Sequence, residues 1–553
     1  MLSTTYKTLK PKPRIFQQLS LHFFKLPALK WLVLFALLFF PIYLTLPDYG
    51  ITLDEPIYME AAWKIGDWLS SKPQKIFNKV EIDKYWKTDP YRNVHPSGVK
   101  WLYLIAQKAI FWVENPYRQN AIFNVFVFCA TMTLFLKWLP SNSFGTSCIY
   151  IILLLTIPRF FAHIHFPATD IPMTAFLLLL IVTMNKCLLR SSHLTAGIIL
   201  GIFVSIKVTS LLLALPIFIT YFLWYREGWK LILVRMAMII LTGVFVFYLL
   251  NPDYWFSPFT RFKEFITQST TRETWSPLTV FFNGDFYQYR GPFHYPFTMF
   301  FITTPVLYTV FLFAGISCFL INKTLRTNLK MILIFVCFAF PFIILALPVS
   351  PAHDGIRYLL PTFPFALYLM TIGLNRIWDF INNNNTFSKY KKLLQFSTAV
   401  VLLFTFAMDL NSPARYPPFE LSYYNWTIGG VPGAFKKGYE TTYWWEIMND
   451  DILKKINSIC EGSAVYFPLP PMDYYFKHIA DLNKMKFHPE YDLKKADYML
   501  IIGRPFVSFW ENKKWPEFKQ NNKVPVPVYE LSLDSIPVLK LYLIKNRILF
   551  RNK

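Results

Sequence analysis

The stretch KWLVLFALLFFPIYLTL, residues 30–46, is almost wholly apolar and long enough to cross the hydrocarbon core of a membrane. Before it, residues 1–29 contain five basic residues and no acidic residue. This basic region is too long for a cleavable signal peptide, and no small-residue cleavage site follows it. We therefore expect residues 1–29 to be a cytoplasmic basic tail and residues 30–46 to be a signal anchor.

The composition of the whole chain favours a membrane protein. Hydrophobic residues make up 54% of the 553 residues and charged residues only 16%, whereas soluble domains are about 25% charged. Lys and Arg number 56 against 33 Asp and Glu, which gives a formal net charge of +23. Long apolar runs separate the basic residues, so we expect membrane lipids and no nucleic acid as partners. The six cysteines have no CxxC spacing and predict neither a disulfide framework nor a zinc site.

Further apolar runs follow the first one along the chain. They lie near residues 119–137, 144–158, 171–185, 194–206, 208–224, 231–250, 296–321, 331–348, 358–377 and 392–408. We therefore predict a polytopic α-helical membrane domain of about eleven transmembrane helices over residues 30–408. Residues 99–113 are shorter and more mixed, and are either a twelfth span or a helix lying in the interface.

Basic residues fall in the loops on one side of this topology, as the positive-inside rule requires of cytoplasmic loops. These residues are Lys137, Lys186, Arg190, Arg226, Lys230, Lys323, Arg326, Lys330, Arg376, Lys389, Lys391 and Lys392. The rule then places four other loops outside, at residues 47–118, 159–170, 251–295 and 349–357. It also places outside everything from residue 409 to residue 553.

Carboxylates stand where two outer loops meet spans. Asp54 and Glu55 precede Pro56 in the first loop, and Asp170 ends the loop before the fourth span. A carboxylate at a water–lipid edge can serve as a general base, because burial raises its pKa. The alternative is that these residues cap the helices that follow them, since Pro favours the first helical position.

Two cations occupy the same side. Lys207 stands between two apolar runs, and Arg357 opens the tenth span. Either could bind a phosphate group. The alternatives are that Lys207 snorkels to the interface and that Arg357 pairs with Asp354. Arg290 and His294 add donors in the loop before the eighth span, or act as interfacial anchors beside aromatic residues.

The pair His163 and His165 has the spacing of metal ligands, with Asp170, His294 and His353 on the same side. Histidines in an aromatic-rich loop are more often structural. We therefore assign no metal ligand and expect no required cofactor, with a divalent metal as the alternative.

Residues 409–553 are more polar and predict a small α/β domain. Helices are expected at 451–460 and 472–481, and strands at 463–467, 496–502 and 538–544. Its place outside suggests contact with an acceptor or a lid function. The alternative is a domain that only packs against the membrane part.

The outer motifs occur in a set order: Asp54-Glu55, His95-Pro96, Arg159, Thr169-Asp170, Gly197, Lys207-Val208-Thr209, His353-Asp354-Gly355-Ile356-Arg357-Tyr358, the segment from Tyr416 to Asn425, Gly429-Gly430 and the segment from Glu440 to Trp444. In this order, over residues 30–450, the chain resembles the polytopic GT-C glycosyltransferases. Within that class it resembles the protein O-mannosyltransferase and aminoarabinose-transferase-like group, glycosyltransferase family 39. The chain departs from the group at His95-Pro96-Ser97-Gly98, where relatives often have His-Pro-Pro-Leu.

The resemblance implies a GT-C fold and inverting transfer of a monosaccharide from an undecaprenyl- or dolichyl-phosphate donor. It implies that Asp54 acts as the general base or positions the acceptor hydroxyl, and that Asp170 matches the family's second acidic position. We count Glu55 with them as a candidate catalytic residue. Lys207, Arg357 and Arg159 would hold the donor phosphate. His95, His294, His353 and Asp354 are candidate acceptor- or sugar-binding residues.

A protein, lipid or glycan could be the acceptor. The sequence favours a bacterial cytoplasmic membrane, with the site facing the periplasm or exterior; the alternative is the endoplasmic reticulum membrane. The alternative function is a transporter or flippase of a lipid-linked or anionic solute, which would show charges near mid-span and internal repeats.

Overall fold

A computed structural model gives the arrangement of most of the chain. It describes residues 27–87, 95–190, 193–207, 209–225, 228–271, 279–348, 350, 352–383, 412–443, 448–467, 485–490, 492–502 and 526–544, together with residues 396, 397, 400, 404 and 475. The predicted boundary between the two domains, at residues 408 and 409, lies outside the described residues.

Helices dominate the first three quarters of the chain. They are α1 Pro27–Thr45, α2 Glu55–Leu69, α3 Pro73–Ile76, α4 Lys79–Trp86, α5 Gly98–Ala109, α6 Pro116–Trp138, α7 Phe144–Leu155, α8 Pro158–His165, α9 Asp170–Arg190, α10 His193–Ile206, α11 Thr209–Trp224, α12 Trp229–Leu250 and α13 Pro258–Thr270. After a hairpin of β1 Thr279–Phe282 and β2 Asp285–Gln288 come α14 Tyr295–Thr303, α15 Val306–Ile321, α16 Lys323–Arg326, α17 Leu329–Ala346 and α18 Phe363–Asn383. Short 3₁₀ turns, among them Arg357–Thr362 and Glu420–Ser422, join several of these helices.

In the described part of the chain, five helical stretches are long and apolar enough to cross a membrane. They are Ala28–Asp48, Pro116–Trp138, Trp229–Leu250, Leu329–Ala346 and Arg357–Phe380. Two bent pairs of helices raise the number to seven, and three shorter apolar helices, at Asp170–Met184, His193–Ile206 and Thr209–Trp224, accompany them. The chain is therefore a multi-pass membrane protein. Ten of the eleven predicted spans coincide with these elements, and the eleventh, at 392–408, lies largely outside the described residues.

Two predicted spans are bent because each contains a proline that begins a new helix. The helices α7 and α8 meet at 83°, with Pro158 in the first turn of α8. The helices α14 and α15 meet at 119°, with Pro305 as the cap of α15. The residue before a proline is pushed out of the helical region, which breaks a span at that point. The first bend brings the loop after α8 back into the protein, close to the site described below.

Glycines allow two pairs of spans to cross closely. A Cβ added at Gly315 of α15 would lie 1.9 Å from the carbonyl oxygen of Leu369, and one at Gly373 of α18 would lie 1.9 Å from that of Phe311. On α10, a Cβ at Gly197 would lie 2.4 Å from Thr242 of α12. Small residues at such crossings let helix backbones pack against each other in a membrane. These contacts hold fixed the spans whose ends carry the site residues.

The described part of the C-terminal region forms a five-stranded sheet with one long helix. The elements are α19 Gly430–Lys436, α20 Asp450–Cys460, β3 Ala464–Tyr466, β4 His488–Glu490, β5 Tyr498–Ile502, β6 Tyr529–Leu533 and β7 Ile536–Leu543. The strand order is β4-β3-β5-β7-β6, with β3 parallel to β4 and β5, and β7 antiparallel to β5 and β6. Apolar residues of α20, such as Ile452 and Ile456, share a core with the sheet.

This domain agrees with the α/β prediction and adds to it. The helix at 451–460 and the strands at 463–467, 496–502 and 538–544 match α20, β3, β5 and β7 within a few residues. The strands β4 and β6 were not predicted. β4, with the sequence His-Pro-Glu, has only three residues and no apolar alternation, whereas β6, Tyr529–Leu533, alternates apolar and polar residues and is a strand signal that the prediction missed. Apart from residue 475, the predicted helix at 472–481 lies outside the described residues.

Candidate active site

Four distant loops meet at one end of the helical bundle. Asp54 follows the first span, Asp170 begins α9, Lys207 lies between α10 and α11, and Arg357 precedes α18. Their side chains form one continuous network of ion pairs. The described structure therefore brings together the residues that the sequence singled out on one predicted side.

Arg357 is the centre of this network. Its Nη2 lies 2.6 Å from Asp54 Oδ2, its Nε lies 2.8 Å from Asp170 Oδ2, and its Nη1 lies 3.2 Å from Asp354 Oδ2. The planar guanidinium can donate in these three directions at once, which an ammonium group on a flexible stem does less well. The alternative considered from the sequence, an ion pair between Arg357 and Asp354, is thus present as one of three ion pairs that Arg357 makes.

Lys207 is a buried ion-pair partner. Its side chain is only 3% exposed, so it does not snorkel to the interface. Its Nζ lies 2.5 Å from Asp170 Oδ1 and 4.5 Å from the centre of the Tyr358 ring. Burial lowers the pKa of Lys207, and the charge of Asp170 opposes that shift. Asp170 therefore bridges the two cations.

Asp54 is the exposed edge of the network. Its side chain is 32% exposed, against 2% for Asp170 and 7% for Asp354. It occupies the cap position of α2 but makes no capping hydrogen bond, so its carboxylate is directed to Arg357 instead. Of the three carboxylates, Asp54 is thus the one that a molecule arriving from outside can reach. Three carboxylates against two cations leave the network with a formal charge of −1.

A tight turn positions Asp354 and its neighbours. Asp354 has φ +55° and Gly355 has φ +64°, both in the left-handed region that favours glycine. The Gly355 N–H donates to the Tyr295 hydroxyl over 2.8 Å, which anchors the turn. His353 Nε2 lies 3.0 Å from the Tyr358 hydroxyl and 3.8 Å from Asp354 Oδ2. His353 therefore supports the network from its buried side.

Glu55 adjoins Asp54 but has different partners. Its Oε1 accepts hydrogen bonds from the Thr52 backbone N–H at 2.8 Å and from the Thr52 hydroxyl at 2.9 Å. The side chain is 3% exposed, and burial raises its pKa to about 7. In the structure, Glu55 is a helix-start residue beside the network and makes no described ion pair with it.

Arg159, predicted to hold phosphate, has a different setting. It is 1% exposed, its Nε donates to the Tyr423 carbonyl oxygen over 2.9 Å, and its guanidinium lies over the rings of Tyr424 at 4.5 Å and Tyr443 at 5.0 Å. A Cβ at Gly355 would come within 2.8 Å of it. Arg159 thus packs behind the site and ties α8 to the segment after residue 412.

The remaining histidines also lie apart. His95 lines a second cavity with Lys100, Asp253 and Arg261, and the Lys100 ammonium donates to its carbonyl oxygen over 3.1 Å. His294 is exposed and stands 5.5 Å from the ring of Phe282, as the anchor alternative requires. Neither residue has a described contact with the ion-pair network.

The His-x-His pair has structural partners. His165 places Nδ1 2.9 Å from the Phe161 carbonyl oxygen and Nε2 2.8 Å from the Thr45 hydroxyl, and its ring stacks on Tyr49 at 4.1 Å. Among the described residues, no group of three or more His, Cys, Asp or Glu side chains is arranged to hold a metal ion.

Glu420 is a buried carboxyl that the sequence analysis quoted within a motif but did not single out. It is fully buried, and the Tyr49 hydroxyl lies within reach of its carboxylate. Burial raises its pKa to about 8, and the Tyr49 hydroxyl close by partly offsets this effect. An acidic residue amid aromatic residues in that motif was the only signal that could have found it.

The Glu420→Gln variant is expected to be less sensitive to pH than the wild type. The folded protein holds this proton up to about pH 8, whereas the unfolded chain releases it near pH 4.3. The unfolded state therefore binds fewer protons in that window, and wild-type stability falls with rising pH by about 1.4 kcal/mol per unit for one group. Glutamine does not titrate, so the variant lacks this pH-dependent fall in stability. Its melting temperature should therefore rise relative to that of wild type as the pH is raised from 5.5 to 7.5. The exposed Glu461→Gln variant is the control, and its melting temperature should differ from that of wild type by the same amount at both pH values. The same constant difference for Glu420→Gln would contradict the raised pKa of Glu420.

Comparisons with known proteins give structural likeness only. No family model matches the chain, and no curated protein matches it. The chain is similar to ArnT from Cupriavidus metallidurans bound to undecaprenyl phosphate, with 13% identity, 94% of this chain and 99% of that chain covered, and a TM-score of 0.47. The apo form of that ArnT gives 13% identity over 95% and 99%, with a TM-score of 0.48.

An archaeal oligosaccharyltransferase is also similar. It is AglB from Archaeoglobus fulgidus in complex with an inhibitory peptide and a dolichol-phosphate, with 11% identity, 84% of this chain and 65% of that chain covered, and a TM-score of 0.48. Identities this low do not fix a function, so the chemistry of the site rests on its own residues.

Proposed function

We propose that this protein is an inverting glycosyltransferase. It moves a monosaccharide from a polyprenyl-phosphate donor to an acceptor hydroxyl, or a similar group, at the outer face of the membrane. The observation that carries the proposal is the ion-pair network at one end of the bundle. It places a reachable carboxylate, Asp54, 2.6 Å from the buried Arg357. Arg357 also pairs with Asp170, which in turn pairs with Lys207.

The cations suit a lipid phosphate. Arg357 and Lys207 are joined through Asp170, so they present two positive groups at one membrane edge. A guanidinium offers a fork of donors to phosphate and an ammonium offers a compact charge. When the donor phosphate approaches Arg357, it competes with Asp54 for the same Nη2 donor. Donor binding would therefore release Asp54 from its ion pair.

Asp54 can then act as the general base. The acceptor oxygen forms a bond to C1 of the sugar while the C1–O bond to phosphate breaks, and the acceptor proton passes to Asp54. Positive charge that builds on the sugar ring is stabilised by the carboxylates of the network, and negative charge on the departing phosphate by Arg357 and Lys207. A single displacement of this kind inverts the anomeric centre. No cofactor is needed in this scheme.

The proposed sidedness follows from charge. Basic residues in the alternate loops favour a cytoplasmic location for the opposite end of the bundle. The site would then face the periplasm or exterior of a bacterial cytoplasmic membrane. There, a lipid-linked donor reaches it from the bilayer and a protein, lipid or glycan acceptor reaches it from water.

A binding experiment tests the phosphate part of this proposal. Purified protein in nanodiscs is titrated with undecaprenyl phosphate, with dolichyl phosphate and, as the matched control, with undecaprenol, which lacks the phosphate. A charge-assisted contact contributes about 1.5–3 kcal/mol, so the phosphates should bind roughly 10- to 100-fold more tightly than the alcohol. Equal affinity for undecaprenyl phosphate and undecaprenol would contradict phosphate recognition.

A further inference from the structure

A groove is lined in part by Glu55, the residue that follows Asp54 in the chain. Its walls come from the loop after the first span, from the start of α6, and from the start of α20 in the C-terminal domain. The residues that matter for its chemistry are Tyr49, Glu55, Asn115, Arg118, Met448 and Asp450. Glu55 directly follows Asp54 in the chain, so this wall of the groove begins at the residue adjacent to the proposed base.

The C-terminal domain is held against this groove by specific contacts. Asn449 Nδ2 donates to the Asp48 carbonyl oxygen over 3.0 Å. A Cβ at Gly50 would lie only 2.2 Å from the Met448 carbonyl oxygen, so the two backbones touch there. Ile51 and Leu53 pack on the apolar core of the C-terminal domain. The first turn of α20 is thus a fixed wall of the groove.

Polar groups that remain available line the groove. Both described hydrogen bonds to the Glu55 carboxylate end on Oε1, which leaves Oε2 for a bound molecule. Asn115 uses its Oδ1 to cap α6, which leaves the amide Nδ2 as a donor. Arg118 is half-buried, and its guanidinium has no ion pair within 4 Å among the described residues. The groove therefore offers both donors and acceptors of hydrogen bonds.

The charges around Arg118 do not favour an anion. Asp450 and Asp48 act on it electrostatically, as does Glu55, whose pKa of about 7 leaves it only partly ionised at neutral pH. The groove therefore has no excess of positive charge to hold a phosphate or a carboxylate. A neutral molecule rich in hydroxyl groups needs no such excess. Its hydroxyls can donate to the carboxylates and accept from Arg118 and Asn115, beside the ring of Tyr49.

We propose that this groove binds the acceptor, and that the acceptor is a neutral sugar residue of a glycan, with one hydroxyl presented to Asp54. The inference rests on the proposed glycosyltransferase function and names the acceptor class for it. The C-terminal domain then has a defined role, because Met448 and Asp450 complete the acceptor site. Serine or threonine peptides and anionic glycans are the competing acceptors that the experiment separates.

The test measures binding directly, without the donor. Saturation-transfer NMR is recorded on the full-length protein in nanodiscs with three probes: a neutral oligosaccharide panel of hexose and N-acetylhexosamine units, a serine/threonine hexapeptide, and a glycan phosphate. A neutral oligosaccharide should bind, and Arg118→Gln and Glu55→Gln should each weaken its binding about 10-fold, the loss of one good hydrogen bond to a charged group. The Glu114→Gln variant, altered at an exposed neighbour that does not line the groove, is the matched control and should bind like wild type.

Several results would overturn the inference. One is that no neutral oligosaccharide in the panel binds; another is that the peptide or the glycan phosphate binds in its place. A third is that oligosaccharide binding is undiminished in both groove variants, provided that their thermal midpoints match wild type. The lipid-phosphate titration of wild type reports separately on the proposed function, so failure of that function and failure of this groove assignment are told apart.

Discussion

The Asp54→Asn variant is expected to lose transfer activity by a factor of about 10²–10⁴, the usual contribution of a general base. Asparagine has the same shape, and its Oδ1 can still accept the hydrogen bond from Arg357 Nη2, so the protein should fold and insert normally. What asparagine lacks is the ability to take a proton from the acceptor hydroxyl. Initial rates of lipid-phosphate release, together with the thermal midpoint, measure the two effects separately.

A matched control stands on the same helix. Asp67 is exposed in α2 and makes no contact with the network, so Asp67→Asn should keep the wild-type rate. The account of Asp54 would be wrong if Asp54→Asn retained a rate close to that of Asp67→Asn.

Replacing Arg357 by alanine is expected to have the largest effect on stability. Three carboxylates lose their shared partner, and two of them, Asp170 and Asp354, are buried. Removing one member of a buried ion pair costs about 3–5 kcal/mol, because a buried charge is left uncompensated. Lys207 remains for Asp170 alone. The thermal midpoint should fall sharply at pH 7.5 and recover partly at pH 5, where the orphaned carboxylates are more readily protonated.

Two further variants sharpen this test. Arg357→Lys keeps the charge but not the three-way fork, and should fall between wild type and Arg357→Ala. Arg376→Ala removes an exposed arginine from the other end of the same span and should change the midpoint little. If Arg357→Ala melted like Arg376→Ala at both pH values, the network would not be an essential structural element.

Much of this arrangement could be predicted because membrane insertion restricts the chain. Runs of about 20 apolar residues mark spans, and alternation of sides then gathers the loops that carry Asp54, Asp170, Lys207 and Arg357 at one end. The pairing of Lys207 with Asp170 could not be predicted, since the residues are 37 positions apart and several acids were available on that side. Which of two adjacent acids, Asp54 or Glu55, would face Arg357 also depends on the turn at Thr52.

Burial was the main property that the sequence did not reveal. Arg159 has the sequence context of a phosphate ligand, yet Tyr424 and Tyr443 cover it. These tyrosines come from a segment more than 260 residues further along, and no local pattern indicates such a contact. The broken spans, by contrast, carry a local signal, because Pro158 and Pro305 each interrupt an apolar run. The contribution of the C-terminal domain to the groove could not be predicted from the sequence, because it depends on how that domain packs against the loop after the first span.

The central claim is that this protein cleaves a lipid-linked sugar phosphate. The most direct measurement uses purified protein in lipid with a panel of radiolabelled undecaprenyl-phosphate and dolichyl-phosphate sugars, with a crude envelope extract as the source of acceptors. The account predicts release of free lipid phosphate from at least one donor, with transfer of the label to an acceptor, and loss of both with Asp54→Asn. Contradiction would come from a folded protein that releases no lipid phosphate from any donor with the extract present, most clearly if it moves the intact lipid-linked sugar between leaflets instead.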